Sequence, residues 1–335
     1  MRTALSILLA LALLLSAAWA VAALLLAPML PVGWRPALAV AYTVATLAVL
    51  WLWRRRGPAW VAAYLVPLAL VLVGWFGLQP GRDLDWQPDV ARTPTAEIDG
   101  DRLTVRNVRN FAWGPGDTIL AERWEERSYD LSQLRHVDLA ASYWAGEAIA
   151  HLIVSFGFDD GRQLAFSIEA RKEVGEAYSA IDGFFRNNEL VYVAADERDL
   201  LGVRAILRGE RVYLYRTRMP PERARTLLMD YVQAMNRLAA EPEFYNSGTT
   251  NCTTQIGVHV RQAGAILPPS WKLLLSGYAP EYAYELGALD GRLPFEELKR
   301  RSLIVDAAKA AGDLPDFSAR IRQGLPDPLQ PQIGQ

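Results

Sequence analysis

Cysteine is almost absent: the 335 residues hold one, Cys252. Histidine is scarce too, with only His136, His151 and His259. One cysteine excludes an internal disulfide framework. Together with three scattered histidines it lacks the spacing of a metal site, so no metal is expected. No glycine-rich phosphate loop or dinucleotide fingerprint occurs, and no cofactor is expected. Lys and Arg number 35 against 37 Asp and Glu, so the chain has no basic excess and a nucleic-acid partner is not expected.

Charge is missing altogether from three N-terminal runs, at 4–30, 36–53 and 58–77. The first exceeds the roughly 20 apolar residues a spanning helix needs, and the other two are close to it. Ala18-Trp19-Ala20 resembles a signal-peptide cleavage site, but the apolar run continues well past it, so an uncleaved helix is expected. Arg54, Arg55 and Arg56 form a basic cluster between the second and third runs, which places that loop in the cytoplasm and everything after Gln79 outside. Tryptophans at 34, 51, 53, 60 and 75 fall near the ends of the runs, as interfacial anchors do. No charged residue lies within the spans, which excludes an ion pathway of the usual kind. The expected organisation is a three-helix transmembrane anchor over 1–80, an exported domain over 83–326, and a disordered tail over 327–335.

The exported part has mixed charge and enough length for one domain. Asp99-Gly100 predicts a hairpin turn. His151–Phe158 and Gln163–Ala170 are two β-prone runs around Asp160-Gly161, which predicts an antiparallel hairpin with Ala170 opposite His151, give or take one residue. Further strands are expected at 189–194 and 211–217. Pro220-Pro221 opens a helix whose Ala224, Leu227, Leu228, Tyr231, Met235 and Leu238 recur at helical spacing and form a core face. Pro242 ends it, turn-forming residues follow, and Cys252 then stands at the start of the next helix.

An unpaired thiol there is either a small buried hydrophobe or a nucleophile. An ordinary thiol is mostly protonated at neutral pH, and a helix N-terminus contributes only about 0.3–1 kcal/mol to its anion, so a nucleophile needs a base. His259 stands two turns along the same helix, about 10 Å away, which is out of reach. His136 lies in a mixed stretch and reads as a solvated surface residue. His151 begins a strand after a loop, where a side chain can project into a cleft. Glu169, near it on the second strand, is the candidate that orients the imidazole; a surface pair with Arg171 is the alternative.

Several separate motifs then resemble one family, in order: His151 with Ser155-Phe156, Asp159-Asp160-Gly161-Arg162, Ser167-Ile168-Glu169-Ala170-Arg171, Asp196-Glu197-Arg198-Asp199-Leu200, Phe244-Tyr245-Asn246 and Asn251-Cys252-Thr253. They resemble the Lnb N-terminal periplasmic domain family. The resemblance implies an α+β chain in which the three helices precede a circularly permuted papain-like (NlpC-like) domain. It implies Cys252 as nucleophile, His151 as base, Glu169 as a supporting polar residue, and Tyr245 and Asn251 as helpers at the oxyanion site. The implied activity is acyl transfer from a phospholipid through a Cys252 thioester, with the N-terminal amine of a lipoprotein as acceptor, or water in a hydrolase. A cysteine peptidase or amidase on cell-envelope peptides is a second reading, and a non-catalytic binding module a third. The stretch Trp271–Tyr278 is apolar with aromatic ends, and reads as a core segment, an interfacial element or the lining of an acyl channel.

Overall fold

The computed structural model describes residues 2–81 and 84–329. The chain divides into two compact units.

The first unit is built on three apolar helices, α1 (Arg2–Leu26), α2 (Arg35–Arg56) and α3 (Val61–Gly77). Pro36 sits in the first turn of α2, where its missing N–H costs nothing, and Arg54–Arg56 fill its last turn, where positive charge complements the helix dipole. Ala20 and Ala23 are fully buried in the packing, small residues of the kind that let apolar helices approach closely. The hydroxyls of Ser16 and Tyr64 bond at 2.9 Å, and Trp19 meets Trp75 edge to face. Two of the three helices are long and apolar enough to cross a membrane. The third has 17 residues with Pro67 inside it, and spans about 25 Å at 1.5 Å per residue, short of a bilayer core of about 30 Å. Segments Ala177–Glu189 and Phe244–Ser247 belong to the same unit. There the Arg186 guanidinium donates to the Trp75 carbonyl at 2.8 Å and lies over the Trp75 ring, closing the C-terminal end of α3.

The second unit contains a twisted sheet. Its strands in chain order are β1 (Thr95–Asp99), β2 (Arg102–Arg109), a small separate pair β3 (Ala112–Gly114) and β4 (Thr118–Ala121), then β5 (Trp124–Asp130), β6 (Leu134–Tyr143), β7 (Ala150–Phe158), β8 (Gln163–Arg171), β9 (Glu189–Ala195) and β10 (Arg211–Arg216). Across the sheet the order is β1-β2-β9-β8-β7-β6-β10, with β5 also on β2. The central strands are buried along almost their whole length, as strands covered on both faces must be. On one face Ile153, Ala165 and Val193 pack with Leu200 and Ala205 of a π-helix, Arg198–Leu207, and with Ala308 and Phe317 beyond it. On the other, Phe156 and Phe166 pack on Tyr231 of α4 (Pro221–Ala240). The apolar face expected for α4 is buried as the spacing demands. The Cys252 helix is α5 (Cys252–Gln262), and it packs against α4, β7 and β8.

The β7–β8 hairpin forms as expected, and its turn refines the register within the one-residue margin. Its turn holds three residues, Asp159, Asp160 and Gly161, because Phe158 and Arg162 still pair (N–H to O 3.1 Å) and Gly161 takes φ 83°. Ile153 therefore faces Ser167 in the last pair of the ladder, a register that leads toward Glu169 for His151, one residue from Ala170. The expected disordered tail falls largely outside the described residues, but Asp327 is within them and pairs with Arg216 at 3.1 Å.

Candidate functional site

The site is assembled from the ends of β7 and β8, the π-helix and the first turn of α5. Asn251 caps α5 with a reciprocal pair of bonds: its Oδ1 accepts from the Thr254 N–H at 3.0 Å, and its own N–H donates to Thr254 Oγ1 at 2.9 Å. That fixes Cys252 at the first helical position, where backbone N–H groups have no partner within the helix. The cap also occupies the Asn251 backbone N–H, so that donor is not available to an oxyanion.

The Cys252 sulfur accepts a hydrogen bond from the Leu152 backbone N–H. Leu152 can donate because β7 and β8 part at this point. The amide of Phe158 points toward β8, and every second amide along an antiparallel strand points the same way, so that of Leu152 does too. The ladder to β8 ends at Ile153, leaving that N–H for the sulfur. The folded chain thus brings Cys252 to the residue next to His151, across a separation of about a hundred residues in sequence. The Thr253 hydroxyl lies 3.9 Å from the sulfur.

The imidazole of His151 is oriented by a hydroxyl that the sequence reading left without a role. Nε2 of His151 is 2.6 Å from Ser167 Oγ, and Ser167 Oγ donates to Glu169 Oε1 at 2.6 Å. A serine has one proton to give, and the ionised carboxylate only accepts. Ser167 gives its proton to Glu169, so it must accept from His151, which places the imidazole proton on Nε2 and the lone pair on Nδ1. Glu169 acts on the ring through this hydroxyl, standing 3.7 Å from Nε2 itself. Ser167 and Glu169 are two apart on one strand and so share a face.

Arg204 of the π-helix holds Glu169 from the far side, Nη2 to Oε1 3.3 Å. The alternative pairing with Arg171 is replaced by this one: Arg171 donates to the Val90 and Ala91 carbonyls. Burial would raise the Glu169 carboxyl, but Arg204, His151, Arg109 and the Ser167 hydrogen bond outweigh it and hold it well below the usual range. His151 goes the other way. Burial, with Arg204 adding to it, lowers its pKa to about 3, against the opposing pull of Glu169. Burial also pushes the Cys252 thiol up, although the Leu152 amide and Thr253 favour the anion. At rest the thiol and the imidazole are therefore both neutral.

The remaining histidines play other parts. His259 is buried, bonded through Nδ1 to Asp230 and through Nε2 to the Tyr192 hydroxyl, both at 2.6 Å, and stacked near Tyr231. His136 is not a solvated surface residue: its Nε2 is buried, 3.7 Å from Asp138, with its ring end over Gly157. Tyr245 lies in the first unit, buried, with its backbone N–H on the Asn188 carbonyl at 3.0 Å. The acidic motif Asp196–Asp199 is structural. Asp199 accepts from Arg109, the Phe111 amide and the Trp113 indole, and Glu197 from Ser155 and Arg322. Tyr231 contributes a buried hydroxyl with no hydrogen-bond partner among the described residues, near enough for its charge to couple to Cys252.

The stretch Trp271–Tyr278 forms two short 3-10 turns, and Trp271 and Leu274 are exposed, so it is not a plain core segment. Its Gly277 donates to the Ala148 carbonyl at 3.0 Å, and a Cβ there would stand 2.0 Å from the Glu147 oxygen, so only glycine allows the approach. The loop leading into His151 is braced by that contact and by the bond from the Ala150 N–H to Ser276.

No curated protein and no solved structure shows significant similarity to the chain. Residues 121–277, which carry His151, Ser167, Glu169 and Cys252, match the model of the Lnb N-terminal periplasmic domain family, and behind two helices long enough to cross a membrane this fits a membrane-anchored protein with a periplasmic domain.

Proposed function

We propose that the protein is a membrane-anchored cysteine acyltransferase, with Cys252 as nucleophile, His151 as base and a phospholipid ester as acyl donor. The observation that carries this reading is the relay Nε2–H to Ser167 to Glu169, which leaves a lone pair on Nδ1 of His151, the residue before Leu152, whose amide holds the Cys252 sulfur. The three apolar helices form a multi-pass anchor in the inner membrane, α3 crossing together with the 3-10 turn Pro58–Trp60 directly before it, with the Arg54–Arg56 loop cytoplasmic and the second unit in the periplasm. A tether of this kind raises the effective concentration of an insoluble donor at the site.

The chemistry follows from the neutral resting pair. As the sulfur attacks the ester carbonyl, the S–H proton passes to Nδ1 of His151, so the imidazolium forms only with the transition state and is stabilised by Ser167 and Glu169 behind it. The carbonyl oxygen becomes an oxyanion beside the N–H of Cys252, which has no partner within α5. The carbon–oxygen bond to the lysolipid then breaks, and the imidazolium returns its proton to the leaving alkoxide. In the second half an amine attacks the thioester, gives a proton to His151, and the sulfur leaves as a thiolate that takes the proton back. A lipoprotein N-terminus is the proposed amine, and water in its place gives hydrolysis.

Intact mass spectrometry after incubation with phospholipid tests this. An acyl mass on the native chain, removed by hydroxylamine and missing from Cys252→Ala, is the expected result. A cysteine peptidase would instead show no lipid-derived adduct and cleavage of cell-envelope peptides.

A further inference from the structure

A largely apolar, partly open cavity lies along α5, with a volume of about 520 Å3, inside the roughly 300–1,000 Å3 of small-molecule sites. Its wall includes Leu152, whose amide holds the Cys252 sulfur, and Thr253, the next residue of α5, so it begins beside the reacting atoms. Ile256, Gly257 and Val260 continue the wall along the helix. Ile266 and Leu286 belong to the same wall and are 87% and 40% exposed, and the exposed Arg218 and Arg223 also line the space, so its solvent-facing side is both apolar and basic.

We infer that this cavity holds the acyl chain of the donor while its carbonyl is on Cys252, and that Gly257 sets how long a chain fits. The inference rests on the proposed acyl-thioester at Cys252 and adds where its hydrocarbon goes. A hydrocarbon chain lying in it sheds water against the largely apolar wall. Glycine is a poor choice inside a helix, which makes its presence at 257, one residue from Ile256 on the cavity wall, a matter of space. A Cβ there would meet nothing nearer than Arg261 Nη1 and Leu267 Cδ2, both at 3.6 Å, an ordinary contact. Gly257→Ala is therefore compatible with the fold, and since Gly257 is itself on the cavity wall, Gly257→Leu is the variant that takes up its space.

Two measurements on the full chain separate this inference from the reading beneath it. In the first, acylation of Cys252 by p-nitrophenyl esters is followed from acetyl to palmitoyl. Gly257→Leu should slow the long esters by roughly 10–200-fold and leave the acetyl ester near the native rate. Equal effects at every length, or none, overturn the cavity assignment while the nucleophile stands. In the second, Cys252→Ala protein, which cannot be acylated, is irradiated with a diazirine-bearing palmitate. Crosslinks on residues 253–260 and 286–289 that vanish with Gly257→Leu support the cavity even if no ester reacts. Crosslinks confined to α1–α3 overturn it.

Discussion

Ser167 accepts the Nε2–H of His151 at 2.6 Å and passes its own proton to Glu169 at the same distance. The direction of the first bond is dictated by the second, and together they decide which nitrogen of the ring is the base. Ser167→Ala removes the hydroxyl and frees the ring to adopt the other tautomer. Acylation of Cys252 should fall by about 100-fold, the ordinary scale of general-base catalysis, with melting temperature changed little. Burst kinetics with an activated ester measure the first quantity and thermal denaturation the second. Unchanged acylation would show that the relay does not set the tautomer.

The neutral resting pair fixes the pH dependence. The imidazole stays unprotonated down to about 3 and the thiol stays protonated to beyond its usual range, so the reactive form is the same throughout. The acylation rate should be flat between about pH 5 and 8, whereas an unperturbed histidine base would lose about tenfold per unit below its pKa near 6.5. Alkylation by iodoacetamide should be slow at neutral pH and climb toward alkaline pH, in His151→Ala as in the native chain. Fast labelling at neutral pH that depends on His151 would point to a preformed ion pair.

Acid should destabilise the second unit. Burial lowers the pKa of His136, His151 and His259 in the folded state. Between about pH 6.5 and 3 the unfolded chain binds protons that the folded chain refuses, so folding stability falls as pH drops through that window. His151 alone accounts for up to about 1.4 kcal/mol per pH unit within it. Denaturation midpoints at several pH values should follow this slope, and His151→Gln should flatten it. A melting temperature that rises on acidification would refute the assignment.

Much of the fold was legible. The β7–β8 hairpin, the buried face of α4 and the position of Cys252 at a helix start are local consequences of turn residues, apolar spacing and capping. What the sequence hid was set at long range or by one residue of turn length. A two-residue turn at Asp160-Gly161 points at Ala170, and the third turn residue leads the register toward Glu169. Ser167 stood among apolar neighbours in Leu164–Ile168 and looked like strand filler, yet its place two residues before Glu169 was the available signal. Arg204 reaches Glu169 only because residues 198–207 form a π-helix, whose wider turn no hydrophobic period announced. His136 and Asp138 sit in a strand that looked unpatterned because its charged residue is buried against Arg216 and Arg322.

The ion pair between Arg109 and Asp199 is buried at both partners and serves the fold. Asp199→Ala leaves an uncompensated guanidinium there and should cost about 3–5 kcal/mol of stability. In whatever fraction stays folded, the rate of Cys252 acylation per folded molecule should be close to native. Chemical denaturation alongside active-site titration by intact mass separates the two effects, and a loss of rate with full stability would move Asp199 into the catalytic group.

The central claim is that the Cys252 sulfur takes an acyl group with His151 as its base. Intact mass of the full-length protein after incubation with phospholipid vesicles tests it most directly. The account predicts an acyl adduct on Cys252 in the native chain, none in Cys252→Ala, and strongly slowed formation in His151→Ala. A native chain that stays unmodified by any phospholipid, or a His151→Ala variant acylated at the native rate, would contradict it.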